Sequence, residues 1–225
     1  MPEHSGLARR ARAPRIVSAE QLHAADVRRD VLSCGVPLAC DEATRLADLG
    51  AHDPTATPYF VLEELFSQVT FAPASHLLDV GCGKGRVLAY VSEELPGVRA
   101  TGIELDPELA RYAQEWTRGR VNLEVHCASV IDEPLGGYTH IYLFNPFDTA
   151  VLVQFIEKLE REAAGPVTVM HMSDNGEQYS YMGRQGWRAL TQGSIQDYRS
   201  QTGVAVRIYG CPQTYTIWEY APQGR

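Results

Sequence analysis

Residues 76–104 read HLLDVGCGKGRVLAYVSEELPGVRATGIE, and the reading of this stretch decides the fold. Leu77, Leu78 and Val80 form the apolar run of a strand buried on both faces of a parallel sheet, interrupted by Asp79 near its carboxyl end. Gly81, Gly83 and Gly85 follow with single residues between them. Glycine permits positive φ and lets a ligand approach the backbone with no Cβ in the way. The helix expected next, from about Lys84 to Leu95, offers unpaired N–H groups at its start, and Pro96-Gly97 ends it. A second strand over 99–103 then delivers Glu104, whose carboxylate stands 23 positions after Gly81, about what one crossover helix and its turns consume. An acid at that place can accept the hydroxyls of a ribose. The stretch is half of a nucleotide-binding site.

Dinucleotide-binding turns follow G-x-G-x-x-G, whereas here the last glycine comes one residue early. The segment DVGCGKG at 79–85 instead resembles the first motif of class I S-adenosylmethionine-dependent methyltransferases, and GIELDPELA at 102–110 resembles their second strand and the start of the helix behind it. The resemblance implies a loop of Asp79, Gly81, Cys82, Gly83 and Gly85 against the methionine part of S-adenosylmethionine. It also implies Glu104 on the ribose, with Leu105 in the same site, and S-adenosylhomocysteine as the product. An NAD-dependent oxidoreductase on the same turn is the alternative reading.

The chain has 225 residues with 44% hydrophobic and 21% charged content, enough for one substantial core. No run of about 18 apolar residues exists, and the arginines near the amino terminus precede no apolar stretch, so neither a membrane span nor a secretory signal is expected. A cytoplasmic location follows as the expectation. The five cysteines, at 34, 40, 82, 127 and 211, include no C-x-x-C pair, and no His or Cys spacing suggests a metal. The net charge of −8 is unevenly placed, because residues 1–15 hold four arginines against one glutamate and leave 16 basic and 27 acidic residues for the rest. An acidic body repels a phosphate backbone, so no nucleic-acid partner is expected.

The expected organisation is a flexible basic tail over 1–17, a helical cap over 18–56 and a cofactor-binding domain over 57–225. Ser18 with Gln21 reads as a capping box opening a helix through about Leu32, and a second helix is expected over Glu42–Leu49 with Gly50 as its stop. A third starts with Thr57 at the N-cap and Pro58 at the first helical position, running from Tyr59 to Val69. From His76 onward strands and helices alternate: strands at 76–80, 99–104, 121–127, 138–144 and 166–172, with helices at 85–95, 107–118 and 149–163. A short helix near 177–184 and strands near 188–195, 205–209 and 215–220 complete the chain. The fold class is α/β, a Rossmann-like doubly wound sheet, mostly parallel with an antiparallel C-terminal strand and an N-terminal helical cap.

Methyl transfer from a sulfonium is an in-line displacement, so an enzyme must mainly position the acceptor and exclude water, with a base needed only for a protonated acceptor. Asn145-Pro146-Phe147, after the fourth strand, resembles the N-P-P-F/Y motif of amine-methylating members of the family, with one proline missing. That resemblance implies Asn145 as a residue facing the transferred methyl. Thr57-Pro58-Tyr59 resembles the T-P-Y segment found before the first motif in some members, implying Thr57 or Tyr59 on the cofactor carboxylate, or Tyr59 over the sulfonium. Ser129 stands where many members carry an acid on the adenine, with Asp132 as a second possibility. His171, ending the fifth strand, is the residue expected as a base, with Asp148 and Asp174 nearby in sequence. Tyr179, Tyr181 and Trp187 suit either a pocket lining or a core.

The expected activity is methyl transfer to a small-molecule acceptor through nitrogen or oxygen. A protein methyltransferase and a non-catalytic S-adenosylmethionine-binding regulator are the other readings, and the oligomeric state is left open.

Overall fold

The computed structural model describes residues 16–40, 42–200 and 203–222, so the basic tail expected over 1–17 lies almost wholly outside the described residues. Helix α1, Ala19–Cys34, opens where the Ser18 side chain accepts the Gln21 N–H and closes at Gly35 with φ of 78°. Helix α2 spans Tyr59–Phe66. The alternation that follows is β1 (His76–Val80), α3 (Arg86–Glu94), β2 (Arg99–Glu104), α4 (Pro107–Thr117), β3 (Leu123–Cys127), β4 (His140–Phe144), α5 (Thr149–Glu162) and β5 (Val167–Met172). A one-turn helix α6 (Gln178–Tyr181) leads to β6 (Trp187–Ile195), the short hairpin β7 (Asp197–Arg199) and β8 (Ala205–Arg207), and β9 (Gln213–Tyr220).

Seven strands form one sheet in the order β3-β2-β1-β4-β5-β9-β6. Strands β1 to β5 pair in parallel, and β9 lies antiparallel both to β5 and to β6, so β9 alone runs against the rest. The sheet has the Rossmann-like order expected. Chain order reverses between β1 and β4, and ligands of open α/β sheets bind outside the carboxyl ends of strands at such a point.

Strand alternation explains where Asp79 goes. Leu78 and Val80 face the core built on α5 with Leu152, Phe155 and Ile156, while Leu77 faces the opposite core built on α2 and α3. Asp79 shares the Leu77 face. Tyr181 is fully buried, stacks on Trp218 with centroids 5.0 Å apart and meets Trp187 edge-on, so these aromatics are core, whereas Tyr179 is exposed.

Two expectations near the amino terminus are corrected. The helix over Glu42–Leu49 is absent apart from a 3₁₀ turn at Ala47–Leu49. The Leu46 N–H, which a helix begun at Glu42 would donate to the Glu42 carbonyl, goes instead to the Thr44 hydroxyl at 3.1 Å, so a side chain claims a backbone group that the helix needs. Thr57 is not the N-cap of α2: Pro58 holds that position without a side-chain bond, and the Thr57 hydroxyl lies 3.0 Å from that of Tyr142.

Gly85 caps α3 at φ of 90°, and a Cβ there would stand 3.0 Å from the Trp116 ring. Left-handed strain and that contact together predict that Gly85→Ala lowers the unfolding free energy by about 2 kcal/mol in denaturant titration. A loss below about 0.5 kcal/mol would contradict the geometry.

Candidate functional site

A cavity of about 370 Å³ opens over the carboxyl ends of β1, β2 and β4, within the range of small-ligand sites. Its floor is the turn after β1. Gly81 and Gly83 hold φ of 72° and 54°, and a Cβ on Gly81 would sit 2.9 Å from that of Pro146, so glycine is what lets this turn meet the loop after β4. The Gly81 and Cys82 N–H groups both donate to the Ile103 carbonyl, at 2.9 and 3.0 Å. Glu104 completes the tether: one oxygen accepts the Gly83 N–H at 2.7 Å and the other accepts the Asp106 N–H at 2.8 Å.

The electrostatics of this floor are unusual. Asp79 is 3% exposed, and its Oδ2 has no hydrogen-bond partner among the described residues. Burial, reinforced by the charge of Glu104, pushes the Asp79 carboxyl up to about 8. Burial also raises Glu104, although its backbone donors oppose the rise. The Cys82 thiol is likewise driven up by burial and by both carboxylates, which keeps it protonated.

The sequence-predicted cofactor residues mostly converge here. Thr57, Asp79, Gly81, Cys82, Gly83, Glu104, Leu105 and Ser129 all line the cavity. Ser129 Oγ accepts the Ile131 N–H at 3.2 Å, and Val130 and Ile131 extend that wall. Gly85 stays outside, beneath Trp116. Asn145 takes φ of 41° and turns its carbonyl to His52 Nδ1 at 2.8 Å, while its neighbours Phe144, Pro146 and Phe147 face the cavity.

Besides Gly85 and Asn145, two more predicted residues are absent from the cavity lining. Tyr59 is 2% exposed and lies outside the cavity, with its hydroxyl donating to Asp30 at 2.9 Å. The cation over its ring is Arg29, at 4.1 Å. His171 is buried inside the sheet, with β4 on one side and β9 on the other, and does not line the cavity. Its Nδ1 meets the Tyr181 hydroxyl at 3.0 Å, and burial lowers it to about 4, so the ring is neutral at physiological pH. Asp174, offered as its orienting acid, instead accepts bonds from Thr214 and Thr216.

Sequence reading expected a helical cap here and missed that the roof is not helical. Residues 38–40 and 42–57 cross over the cavity as a strap, pinned where His52 N–H donates to the Pro146 carbonyl at 3.0 Å and Asp148 N–H to the Gly50 carbonyl at 2.9 Å. Lys84 Nζ reaches the Ala39 carbonyl at 3.0 Å, and Arg45 pairs with Glu108 at 3.3 Å. Apart from the helical pattern over 42–49 and the Asp-Pro and Thr-Pro punctuation around 53–58, this segment carries no local signal, because its order comes from contacts with the body. Arg86 was missed as well: it is 4% exposed and lines the cavity from the first turn of α3.

Comparison with known proteins agrees with this geometry. Residues 78–176 match the family model described as a methyltransferase domain. A 52-residue stretch is 36% identical to trans-aconitate 2-methyltransferase of Paracidovorax citrulli (strain AAC00-1), covering 23% of this chain and only 20% of that protein. Among solved structures, an RNA methyltransferase from Salinibacter ruber in complex with S-adenosylhomocysteine superposes with a TM-score of 0.50 at 18% identity, over 76% of this chain and 96% of that one. The YcgJ protein of Bacillus subtilis gives 0.54 at 12% identity, over 74% of this chain and all of that one. Among the described residues no helix is long and apolar enough to cross a membrane, and no three His, Cys, Asp or Glu side chains converge as a metal site.

Asp79 gives the site a pH signature. Its carboxyl is raised from 3.8 to about 8, so between those values the folded state keeps a proton that the unfolded state has released. The stabilisation is full below the unfolded value and is lost as pH rises through the folded one. His171, lowered to about 4, and Asp26, raised to about 6, have mostly finished titrating by pH 7. From pH 7 to 8 the ligand-free protein is therefore expected to lose about 1 kcal/mol more unfolding free energy than Asp79→Asn, which shares its other titrating groups. Parallel pH profiles from denaturation of the two proteins would contradict the assignment.

Proposed function

We propose that this chain is a class I S-adenosylmethionine-dependent methyltransferase that transfers a methyl group to a small-molecule acceptor bearing a nitrogen or oxygen nucleophile, a reading supported by the methyltransferase-domain match over 78–176. The observation that carries it is the turn Gly81–Gly83 stapled to Glu104, with the unpartnered Asp79 oxygen in the same cavity. Two neighbouring buried carboxylates suit a ligand that brings positive charge and a diol. S-Adenosylmethionine has both, and when bound it supplies an activated methyl on a sulfonium. Glu104 holds the ribose end, while Asp79 accepts from the ammonium of the amino-acid arm. Leu105, Ser129, Val130 and Ile131 border the base. Phe144, Pro146 and Phe147 shape the side from which an acceptor arrives, and the strap excludes water.

The glycine spacing weighs against an NAD-dependent oxidoreductase. A dinucleotide sets its diphosphate over a first turn of the form G-x-G-x-x-G, and here Gly85 comes one residue early. The acceptor class rests on charge: the chain carries −8 overall, and neutralising phosphates takes surplus Lys and Arg. Arg45 and Lys84 at the cavity are each bonded to protein oxygens already. His171 is sealed in the sheet, so positioning, rather than an imidazole base, is the contribution the described residues make. On this reading residues 18–56 cap a catalytic domain over 57–225 that acts in the cytoplasm.

Isothermal titration calorimetry tests the cofactor. S-Adenosylmethionine and S-adenosylhomocysteine are both expected to bind, and Glu104→Ala to weaken both by about 10- to 100-fold, the loss for a hydrogen bond to a charged group. Failure of both ligands to bind at millimolar concentration would remove the reading. Release of S-adenosylhomocysteine in the presence of a small-molecule acceptor, followed by mass spectrometry, separates an enzyme from a binding protein.

A further inference from the structure

Asp30, in the middle of α1, is 0% exposed and accepts four hydrogen bonds. Arg86 supplies two of them, from Nε at 3.0 Å and from one terminal nitrogen at 2.7 Å. The Tyr59 hydroxyl adds a third at 2.9 Å and the Leu38 N–H a fourth at 3.0 Å. One carboxylate thus joins α1 to the start of the strap, the start of α2 and the start of α3. A buried ion pair of this kind adds little net stability over an apolar replacement, because desolvation offsets the attraction; what it fixes is geometry.

The geometry it fixes is that of Arg86. With Nε and one terminal nitrogen held by Asp30, the guanidinium keeps its other terminal nitrogen nearly unengaged. That nitrogen, NH1, has only a 3.5 Å contact to the Ala56 carbonyl and a 3.9 Å approach to Asp26. Arg86 lines the cavity directly after the glycine turn, and so does Asp79, whose Oδ2 is buried and unpartnered. Thr57, next to Ala56, reaches the hydroxyl of Tyr142, which pairs with Asp79 across β1 and β4. A weakly engaged guanidinium nitrogen and a free carboxylate oxygen therefore border the same cavity. That is the complement of an α-amino acid, with its carboxylate and its ammonium on one carbon.

We infer that Asp30 is a positioning residue that holds Arg86 NH1 toward the carboxylate of the cofactor's amino-acid arm, which makes α1 part of the cofactor site. The inference rests on the S-adenosylmethionine reading above. Tyr59 then serves the carboxylate indirectly, by donating to Asp30, rather than by touching it.

Calorimetry on the wild-type full chain tests the contact without any substitution. S-Adenosylmethionine is expected to bind about 10- to 100-fold more tightly than its decarboxylated form, which keeps the sulfonium, amine and nucleoside but lacks the carboxylate. Equal affinities would overturn the inference, whereas no binding of S-adenosylmethionine would remove the cofactor reading beneath it. Asp30→Asn turns an amide N–H₂ or a single oxygen toward the Arg86 fork, and Arg86→Lys removes the fork itself. Each folded variant is expected to lose about 10-fold or more in affinity for S-adenosylmethionine while binding 5′-methylthioadenosine, which lacks the whole amino-acid arm, within about twofold of wild type. Parallel losses for both ligands would show a structural role only. If neither variant folds, the comparison on wild-type protein decides.

Discussion

The site depends on one carboxylate being used twice by the backbone. Glu104 ends β2 and accepts the N–H of Gly83 from the turn after β1 and that of Asp106 from the turn after β2. The two turns that border the cavity are thereby locked to each other through a side chain 8% exposed. Burial disfavours the charge, and the two N–H donors restore part of what desolvation takes away. Asp79 lacks such donors, so its carboxyl is raised much further, and the proximity of Glu104 adds to the rise. Of the two buried carboxyl groups in this cavity, one is thus satisfied by the backbone and the other is not.

Much of this was legible because it is local. The apolar run at 77–80, the glycines at 81 and 83 and the acid at 104 fix a strand-turn-helix-strand unit by short-range rules, and the parallel pairing follows from repeated crossovers. Thr57, Leu105 and Ser129 were reachable through motif position. Tyr59 and His171 were misplaced for a shared reason: sequence gives position along a strand or helix without giving the partner that claims the side chain. Tyr59 belongs to Asp30, 29 residues earlier, and His171 is enclosed by neighbouring strands and Tyr181. The strap was illegible because its backbone bonds run to residues about 95 positions away, as from His52 to Pro146. Helical periodicity over 42–49 competed with those bonds and lost.

The amino-terminal helix follows the same logic at longer range. Its buried acids, Asp26 and Asp30, are four residues apart and so lie on one face of α1, which packs on α3. A face carrying two carboxylates would be excluded from an interior without a matching cation, and Arg86 is that cation. The register of α1 against α3 is thereby specified by charge rather than by volume. Arg29 repeats the pattern at the surface, where it bonds Glu63, Glu93 and Glu94 at 2.8, 3.1 and 2.7 Å. Those pairs are partly exposed and screened, so they guide α1 without adding much to stability.

The charge of the site bears on how the proposed reaction divides between binding and rate. Asp79 and Glu104 favour a positively charged donor over its neutral thioether product, so their attraction is stronger before the methyl leaves than after. Interactions of that kind lower KM and ease product release, and they do not lower the barrier, because the attraction weakens as charge moves off sulfur. Acceleration must then come from alignment of the acceptor and from exclusion of water. The architecture matches that division: the strap is tied to the β4 loop by backbone bonds at Gly50, Ala51 and His52, beside the aromatic wall of Phe144 and Phe147. The left-handed Asn145 sits in that wall as its corner, where a backbone strain of about 1 kcal/mol is held by the His52 bond to its carbonyl. On the proposed reading, the residues that choose the acceptor are those of the strap and the β4 loop, while the glycine turn and its two carboxyl groups choose the donor.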